Sequence, residues 1–161
     1  LAAMLFYIWI RFEWQFSLAA IAAIVHDVLI TVGIFSFLSY EVNLSIVAAV
    51  LTIVGYSMND TVVIFDRIRE NLKKYSKISI SEISNTSTNE TLSRTLITSV
   101  TTLLALFSIY IFGGAILKGF SFAMIIGVVV GTYSSIFVAT PILNYTNVNQ
   151  KSVLKETSEN N

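Results

Sequence analysis

Long apolar stretches separated by shorter polar segments make up most of this 161-residue chain. An α-helix needs about 20 apolar residues to cross the hydrocarbon core of a membrane. Four stretches approach or exceed that length, at residues 17–38, 44–65, 92–112 and 120–143. The strict alternation of apolar and polar residues that is typical of barrel strands is absent. The sequence therefore predicts an all-α fold, a polytopic bundle of transmembrane helices.

The first apolar segment is shorter and reads LAAMLFYIWI at residues 1–10. As a helix it would rise only about 15 Å, half of the membrane core. It lacks the basic region and small-residue cleavage site of a signal peptide. We expect it to be the cut end of a longer span, which gives five spans in all.

Composition supports a membrane protein and argues against several other classes. Hydrophobic residues make up 55% and charged residues 12%, whereas soluble domains carry roughly 25% charged residues. The net charge is zero, which argues against nucleic-acid binding. With no cysteine and one histidine, neither a metal site nor a cofactor is predicted.

Basic residues are concentrated on one side of the predicted membrane. Lys118 is alone on the other side, and eight lie on the first: Arg11, Arg67, Arg69, Lys73, Lys74, Lys77, Lys151 and Lys155. The positive-inside rule therefore places the loop at 66–91 and the C-terminal tail at 144–161 in the cytoplasm. The tail is polar and poor in aromatic residues, so it is predicted to be disordered.

The loop at 66–91 has some helical character. Two capping-box patterns, Ser79 with Glu82 and Ser87 with Glu90, predict a short helix and a second helix start before the next span. The basic residues of the loop could contact anionic lipids or a partner, or they could serve only as topology signals on a solvated connector.

Four ionisable residues fall within the spans: His26, Asp27, Asp60 and Arg94. Such residues are costly in a membrane and are retained mainly where they perform a task. Asp60 and Arg94 lie about 9 Å and 6 Å from the predicted cytoplasmic boundary on antiparallel helices, so the two side chains could meet. They could form a fixed ion pair, or a proton relay in which Arg94 moves relative to Asp60 as the acid gains and loses a proton.

The second span carries His26 and Asp27 side by side, so we expect them to point to different faces. They could belong to the same relay, or hydrogen bond to a neighbouring helix. Polar stripes on the third and fourth spans predict a hydrated seam between these helices. Its predicted members are Thr52, Tyr56, Ser57, Asn59, Thr98 and Thr101.

The last span contains the segment GVVVGTYSSIFVATP. Its small residues predict a surface on which another helix can approach closely. These residues are Gly127, Gly131, Ser134 and Ser135. Pro141, near the end of this span, is expected to terminate the helix.

Several blocks resemble SecF proteins of the SecD/SecF family, within the resistance-nodulation-division transporter superfamily. The most specific is GYSMNDTVVIFDRIREN, and RFEWQFSLAAIAAIVHDVLIT, LSRTLITSVTTLL and GVVVGTYSSIFVATP agree with further family blocks in the family's order. The resemblance implies six membrane helices, of which the first, with the outer domain that follows it, would be missing here. It also implies that Asp60 and Arg94 match the family's membrane aspartate and arginine linked to proton movement.

The same resemblance implies a function and a set of partners. SecD and SecF would use the proton-motive force for late steps of protein translocation through SecYEG, after SecA, in the bacterial inner membrane. YajC, YidC, membrane lipids and the unfolded secreted polypeptide would be further contacts. No enzymatic bond chemistry is expected. Two alternatives are a scaffold subunit without proton transport and half of a related proton-driven exporter.

Overall fold

The computed structural model describes residues 14–40, 43–75 and 78–146. They form helices α1 (Trp14–Phe37), α2 (Leu44–Lys74), α3 (Ile80–Phe112), α4 (Gly114–Ser134) and α5 (Thr140–Tyr145), with a π-helical turn at Ser135–Ala139. No strand occurs in these ranges, so the all-α prediction is confirmed. The predicted span at 1–10 and tail residues 147–161 lie outside the described residues.

Four helical units in the described part of the chain are long and apolar enough to cross a membrane. They are α1, α2, α3 and the continuous unit Gly114–Tyr145 that joins α4, the π turn and α5. The connection between α3 and α4 is only Gly113, followed by Gly114 at φ 74°. A side chain at position 113 would meet the Ile109 carbonyl oxygen at 2.4 Å, so this sharp turn requires glycine.

Helices α2 and α3 extend beyond their apolar segments, and we call the end of the bundle that holds the C-terminus of α2 and the N-terminus of α3 the loop end. Their 31 and 33 residues correspond to about 46 and 50 Å, well over the 30 Å of a membrane core. Asn71 Nδ2 donates to Ser87 Oγ at 2.9 Å and to Glu90 Oε2 at 2.8 Å. Arg67 Nε also donates to Glu90, at 2.6 Å. Most of the loop predicted at 66–91 is therefore a pair of helical extensions.

The start of α3 matches the first capping-box prediction but not the second. Ser79 is the N-cap residue and its Oγ accepts a hydrogen bond from the Glu82 backbone N–H. Ser87 and Glu90 lie inside the continuous helix, so the predicted second helix start is wrong. No proline or glycine interrupts residues 80–112, and the side chains of Ser87 and Glu90 bind Asn71 instead of capping a helix.

Helices α2 and α4 run parallel and approach closely at two glycines. A Cβ at Gly127 would lie 2.2 Å from Ile53 Cγ1, and one at Gly131 would lie 3.0 Å from Ser57 Cβ. One helical turn further on, the hydroxyls of Thr61 and Ser135 are 2.9 Å apart. The three contacts advance by four residues on each helix, so the register between α2 and α4 is constant over this length.

Pro141 does not end the last span, because the helix continues to Tyr145. Proline lacks an N–H, and within an α-helix its ring clashes with the carbonyl four residues earlier, here that of Phe137. The π turn ends at Ala139, two residues before the proline, and uses wider, five-residue hydrogen bonding. Thr140 Oγ1 donates to the Ser135 carbonyl at 3.0 Å. The helix thus accommodates Pro141 by widening.

Buried apolar side chains form two clusters along the bundle axis. One cluster, toward the loop end, includes Phe16, Phe65 and Leu143, and the other, toward Gly113, includes Phe35 and Ile53. Between them lies a set of buried polar side chains that we call the polar layer. Its members are Asp27, Ser57, Asp60, Thr61, Ser134 and Ser135.

We expect Gly127→Ala to destabilise the bundle by about 1–3 kcal/mol, the usual range for overpacking a well-packed interior. The added methyl group would overlap Ile53. Unfolding in mixed detergent micelles, followed by circular dichroism, measures the effect. Gly33→Ala is the matched control, because nothing lies within 4 Å of a Cβ at that helical position. Equal stability of the two variants would contradict the close approach, whereas Ile53→Ala should suppress the Gly127→Ala defect.

We also expect Asn71→Ala to loosen the loop end, because it removes both hydrogen bonds that this buried amide donates to α3. Loss of a buried hydrogen-bonding group usually costs about 1–3 kcal/mol. Hydrogen–deuterium exchange of residues 66–91 should become faster. Asn85→Ala, at an exposed position on α3, is the control and should leave exchange unchanged. If both variants exchange alike, Asn71 does not join the two helices.

Candidate functional site

Asp60 lies in the polar layer on α2, with only 3% of its surface exposed. Its Oδ2 atom has no hydrogen-bond partner among the described residues. Burying a carboxylate oxygen without a partner is costly. Asp60 is therefore the buried acid of the layer whose hydrogen bonding is incomplete within this part of the chain.

Two hydrogen bonds fix the depth of Asp60 relative to Arg94. Tyr56 bonds to Thr102 and Asn71 to Ser87, and both contacts fit one register between the antiparallel helices α2 and α3. In that register Thr98 lies opposite Asp60. Arg94 is one helical turn, about 6 Å, nearer the loop end.

Arg94 is exposed on the flank of α3, and it forms no ion pair with Asp60 in the described structure. Its positive charge lies about one helical turn along the bundle axis from the level of Asp60. The ion pair that depth alone allowed is therefore not formed in the described structure. The one-turn offset and the outward direction of Arg94 account for the difference.

Among the predicted seam residues on α2, only Tyr56 forms a hydrogen bond to α3 in the described structure. Tyr56 Oη donates to Thr102 Oγ1 at 3.3 Å. The hydroxyls of Thr52, Thr98 and Thr101 instead donate to carbonyls of their own helices. A threonine in a helix commonly satisfies its hydroxyl in this way, so a polar stripe need not face a polar neighbour. Asn59 is exposed.

Ser57 does not belong to that seam, because it faces α1. Its Oγ donates to Asp27 Oδ2 at 2.5 Å, and Asp27 is 1% exposed. The other carboxylate oxygen, Oδ1, lies 3.1 Å from His26 Nδ1. Although the two residues are adjacent in sequence, their side chains meet, contrary to the expectation of separate faces. Asp27 thus forms a hydrogen bond to a neighbouring helix, and a role for it in the relay stays a prediction.

The other side of the polar layer is formed by the π turn. The hydroxyls of Thr61 and Ser135 bond across α2 and the turn, and Ser135 also donates to the Gly131 carbonyl at 2.9 Å. Ser134 is fully buried beside it. Gly131, Ser134 and Ser135, predicted only as packing residues, thus also supply or contact hydrogen-bonding groups.

Thr61, Thr102, Ser99 and Thr132 are polar contacts that the sequence analysis missed. Ser99 and Thr132 join α3 to α4 with a hydroxyl–hydroxyl distance of 2.7 Å. Thr61 follows Ser57 by four residues, so extending the helical stripe by one turn would have found it. The remaining three give no signal without knowledge of which helices are neighbours.

The site contains ionisable and hydroxyl groups but no cluster suited to a metal ion within the described residues. No group of three or more His, Cys, Asp or Glu side chains capable of holding a metal occurs in the described ranges. Two buried carboxylates and several hydroxyls occupy the polar layer, and His26 lies beside Asp27. Such groups hydrogen bond, and the carboxylates can also gain or lose a proton.

Comparison with known proteins agrees with this architecture. The family profile "Protein export membrane protein SecD/SecF, C-terminal" matches residues 1–149. The SecF subunit of the protein translocase from Cereibacter sphaeroides is 51% identical over 155 residues, which are 96% of this chain and 48% of that protein. The SecF subunit from Rhodothermus marinus is 59% identical over 143 residues, covering 85% and 46%.

A solved structure shares the fold. The crystal structure of SecDF in its super-membrane-facing form matches with a TM-score of 0.86 and 42% identity, over 98% of this chain and 21% of the SecDF chain. The chain thus spans about half the length of the curated SecF relatives. On this sequence and structural similarity, the chain belongs to the SecD/SecF family of protein-export membrane proteins and corresponds to their C-terminal membrane region.

Proposed function

We propose that this chain is the membrane region of a SecF-type subunit that, together with SecD, couples proton movement to late steps of protein translocation through SecYEG. Asp60 gains and loses the proton, and Arg94 adjusts the electrostatic cost of its charge. The result is a change in helix packing rather than bond chemistry, transmitted to the parts of the complex that hold the secreted polypeptide. The location is the bacterial inner membrane, with the loop end in the cytoplasm.

The observation that carries this proposal is the incomplete hydrogen bonding of buried Asp60. A purely structural acid would be expected to have both oxygens satisfied, as a buried polar group usually does. Asp60 instead keeps an oxygen available for a proton. A proton that crosses the membrane releases about 2.3 kcal/mol per 100 mV, enough to change a conformational equilibrium more than tenfold.

The side of the bundle that carries Arg94 is suited to a partner. Helix α3 is the least buried of the four units, since only 17% of its apolar segment is buried inside the bundle. Large apolar side chains next to Arg94, such as Leu96 and Ile97, are exposed. The related crystal structure is of SecDF. We place SecD on this side, where it would enclose the space between Asp60 and Arg94.

We expect Asp60→Asn to abolish proton-driven export while leaving the complex assembled, because asparagine keeps the size of the side chain and cannot exchange a proton near neutral pH. Purified full-length SecD–SecF complex is reconstituted with SecYEG and SecA in proteoliposomes with an imposed proton gradient. The gradient-dependent part of precursor translocation should fall at least tenfold.

Glu82→Gln is the matched control for this experiment. It makes the same carboxylate-to-carboxamide change at an exposed position near the start of α3 and should retain the gradient dependence. If Asp60→Asn also retains it, the scaffold alternative is correct and the proton proposal fails. Copurification of SecD with each variant shows whether assembly is intact.

Replacement of Arg94 tests whether its charge or its geometry matters. Because Arg94 makes no ion pair with Asp60, we expect Arg94→Lys to retain more than half of the gradient-dependent translocation and Arg94→Gln to lose most of it. A two-pronged guanidinium–carboxylate contact would instead make lysine a poor substitute. Equal loss in both variants, in the same proteoliposome assay, would contradict a long-range role.

A further inference from the structure

The two buried acids of the polar layer differ in their hydrogen bonding. Asp27 has a donor or near neighbour at each oxygen, Ser57 Oγ at 2.5 Å and His26 Nδ1 at 3.1 Å. Asp60 has an oxygen without a partner in the described structure. A carboxylate with a hydrogen-bonding neighbour at each oxygen is held in place, whereas one with an unpartnered oxygen can bind and release a proton. This difference assigns different tasks to the two residues.

Ser57 connects Asp27 to the packing of α2. On one side its hydroxyl donates a hydrogen bond to Asp27 of α1. On the other side its Cβ packs against Gly131 of α4, where an added Cβ would lie 3.0 Å away. Ser57 is 1% exposed. Helix α2 is thus held from two sides at this residue, three positions before Asp60.

Helix geometry extends this constraint to Asp60. Successive residues of an α-helix are rotated by about 100°, so Asp60 points about 60° from Ser57 and about 40° from Tyr56, between the two. Tyr56 is bonded to α3. Asp60 therefore points into the angle between the α3 side and the side formed by α1 and α4. A rotation of α2 about its axis would turn Asp60 out of this angle.

We propose that Asp27 is a positioning residue: by holding Ser57, its carboxylate sets the rotation of α2 and thereby keeps Asp60 directed into the angle next to α3. Asp27 carries no transported proton itself. This inference rests on the proposed function of Asp60, since it concerns how that acid is held.

The two possible roles of Asp27 predict different behaviour of its asparagine variant. Asp27→Asn keeps an oxygen that accepts the Ser57 hydrogen bond, and it removes the carboxyl group. A positioning role is therefore retained in Asp27→Asn, whereas a proton-carrying role is lost. Asp27→Ala and Ser57→Ala both remove the bond itself.

The experiment measures gradient-dependent translocation by the full SecD–SecF complex in the proteoliposome assay, relative to translocation without a gradient. We expect Asp27→Asn to stay within about threefold of the unsubstituted complex, which corresponds to less than 1 kcal/mol. Asp27→Ala and Ser57→Ala should each fall at least tenfold. If Asp27→Asn falls as far as Asp27→Ala, the proposal is overturned.

A second measurement follows Asp60 directly. A hydrophobic carbodiimide labels protonated carboxyl groups in membranes, and mass spectrometry reports the labelling rate at Asp60. We expect Ser57→Ala to change that rate several-fold and Asp27→Asn to leave it unchanged. Ser57→Ala removes one oxygen atom only, so it decides the question if Asp27→Ala fails to assemble with SecD. An unchanged rate in Ser57→Ala overturns the positioning role.

Asp60→Asn in the same assay separates this inference from the proposed function. If Asp60→Asn abolishes gradient dependence while Ser57→Ala and Asp27→Ala retain it, only the positioning role fails. If Asp60→Asn itself retains gradient dependence, both the proposed function and the positioning role fail.

Discussion

The need to bury two carboxylates and several hydroxyls in an apolar bundle determines how these helices pack. Within a membrane there is no water to satisfy a polar side chain that points to lipid. The polar layer, which lies between two apolar clusters, meets this constraint: Asp27 accepts a hydrogen bond from Ser57, and the hydroxyls of Thr61 and Ser135 bond to each other. Each bond joins different helices, so satisfying the hydroxyls also fixes which helices are neighbours. Asp60 also lies in this layer, but its Oδ2 atom has no hydrogen-bond partner among the described residues.

Close approach of α2 and α4 makes this layer possible. The absence of side chains at Gly127 and Gly131 lets Ile53 and Ser57 pack against the α4 backbone, and the same register then brings Thr61 to Ser135. The π turn at this point is explained locally by Pro141, which an ordinary helix would accommodate poorly. Small residues, the widened turn and the buried hydroxyls are therefore parts of one packing arrangement rather than separate features.

Sequence reasoning could recover those features that depend on a single helix. The apolar lengths of the spans, the acid Asp60 and the small face at Gly127 and Gly131 all follow from composition and helical period. The link between Asp27 and Ser57 could not be predicted, because it depends on which helices are neighbours. The one-turn offset of Arg94 depends on the register of α3 against α2. Both are set by packing between segments, which periodicity along one segment does not encode.

The two sides of α2 differ in how firmly they are held. Toward α1 and α4 it is held by glycine contacts and by hydrogen bonds of 2.5 and 2.9 Å. Toward α3, within the membrane, the bond from Tyr56 is 3.3 Å long, and nearby threonines bond to their own helices. Under the proposed function, a change of charge at Asp60 would act next to the side of α2 with fewer contacts. Because packed interfaces shift between discrete arrangements rather than deform continuously, a rearrangement that starts at Asp60 would disturb the fewest bonds of the polar layer on the α3 side, while Asn71 and Arg67 still join α2 to α3 at the loop end.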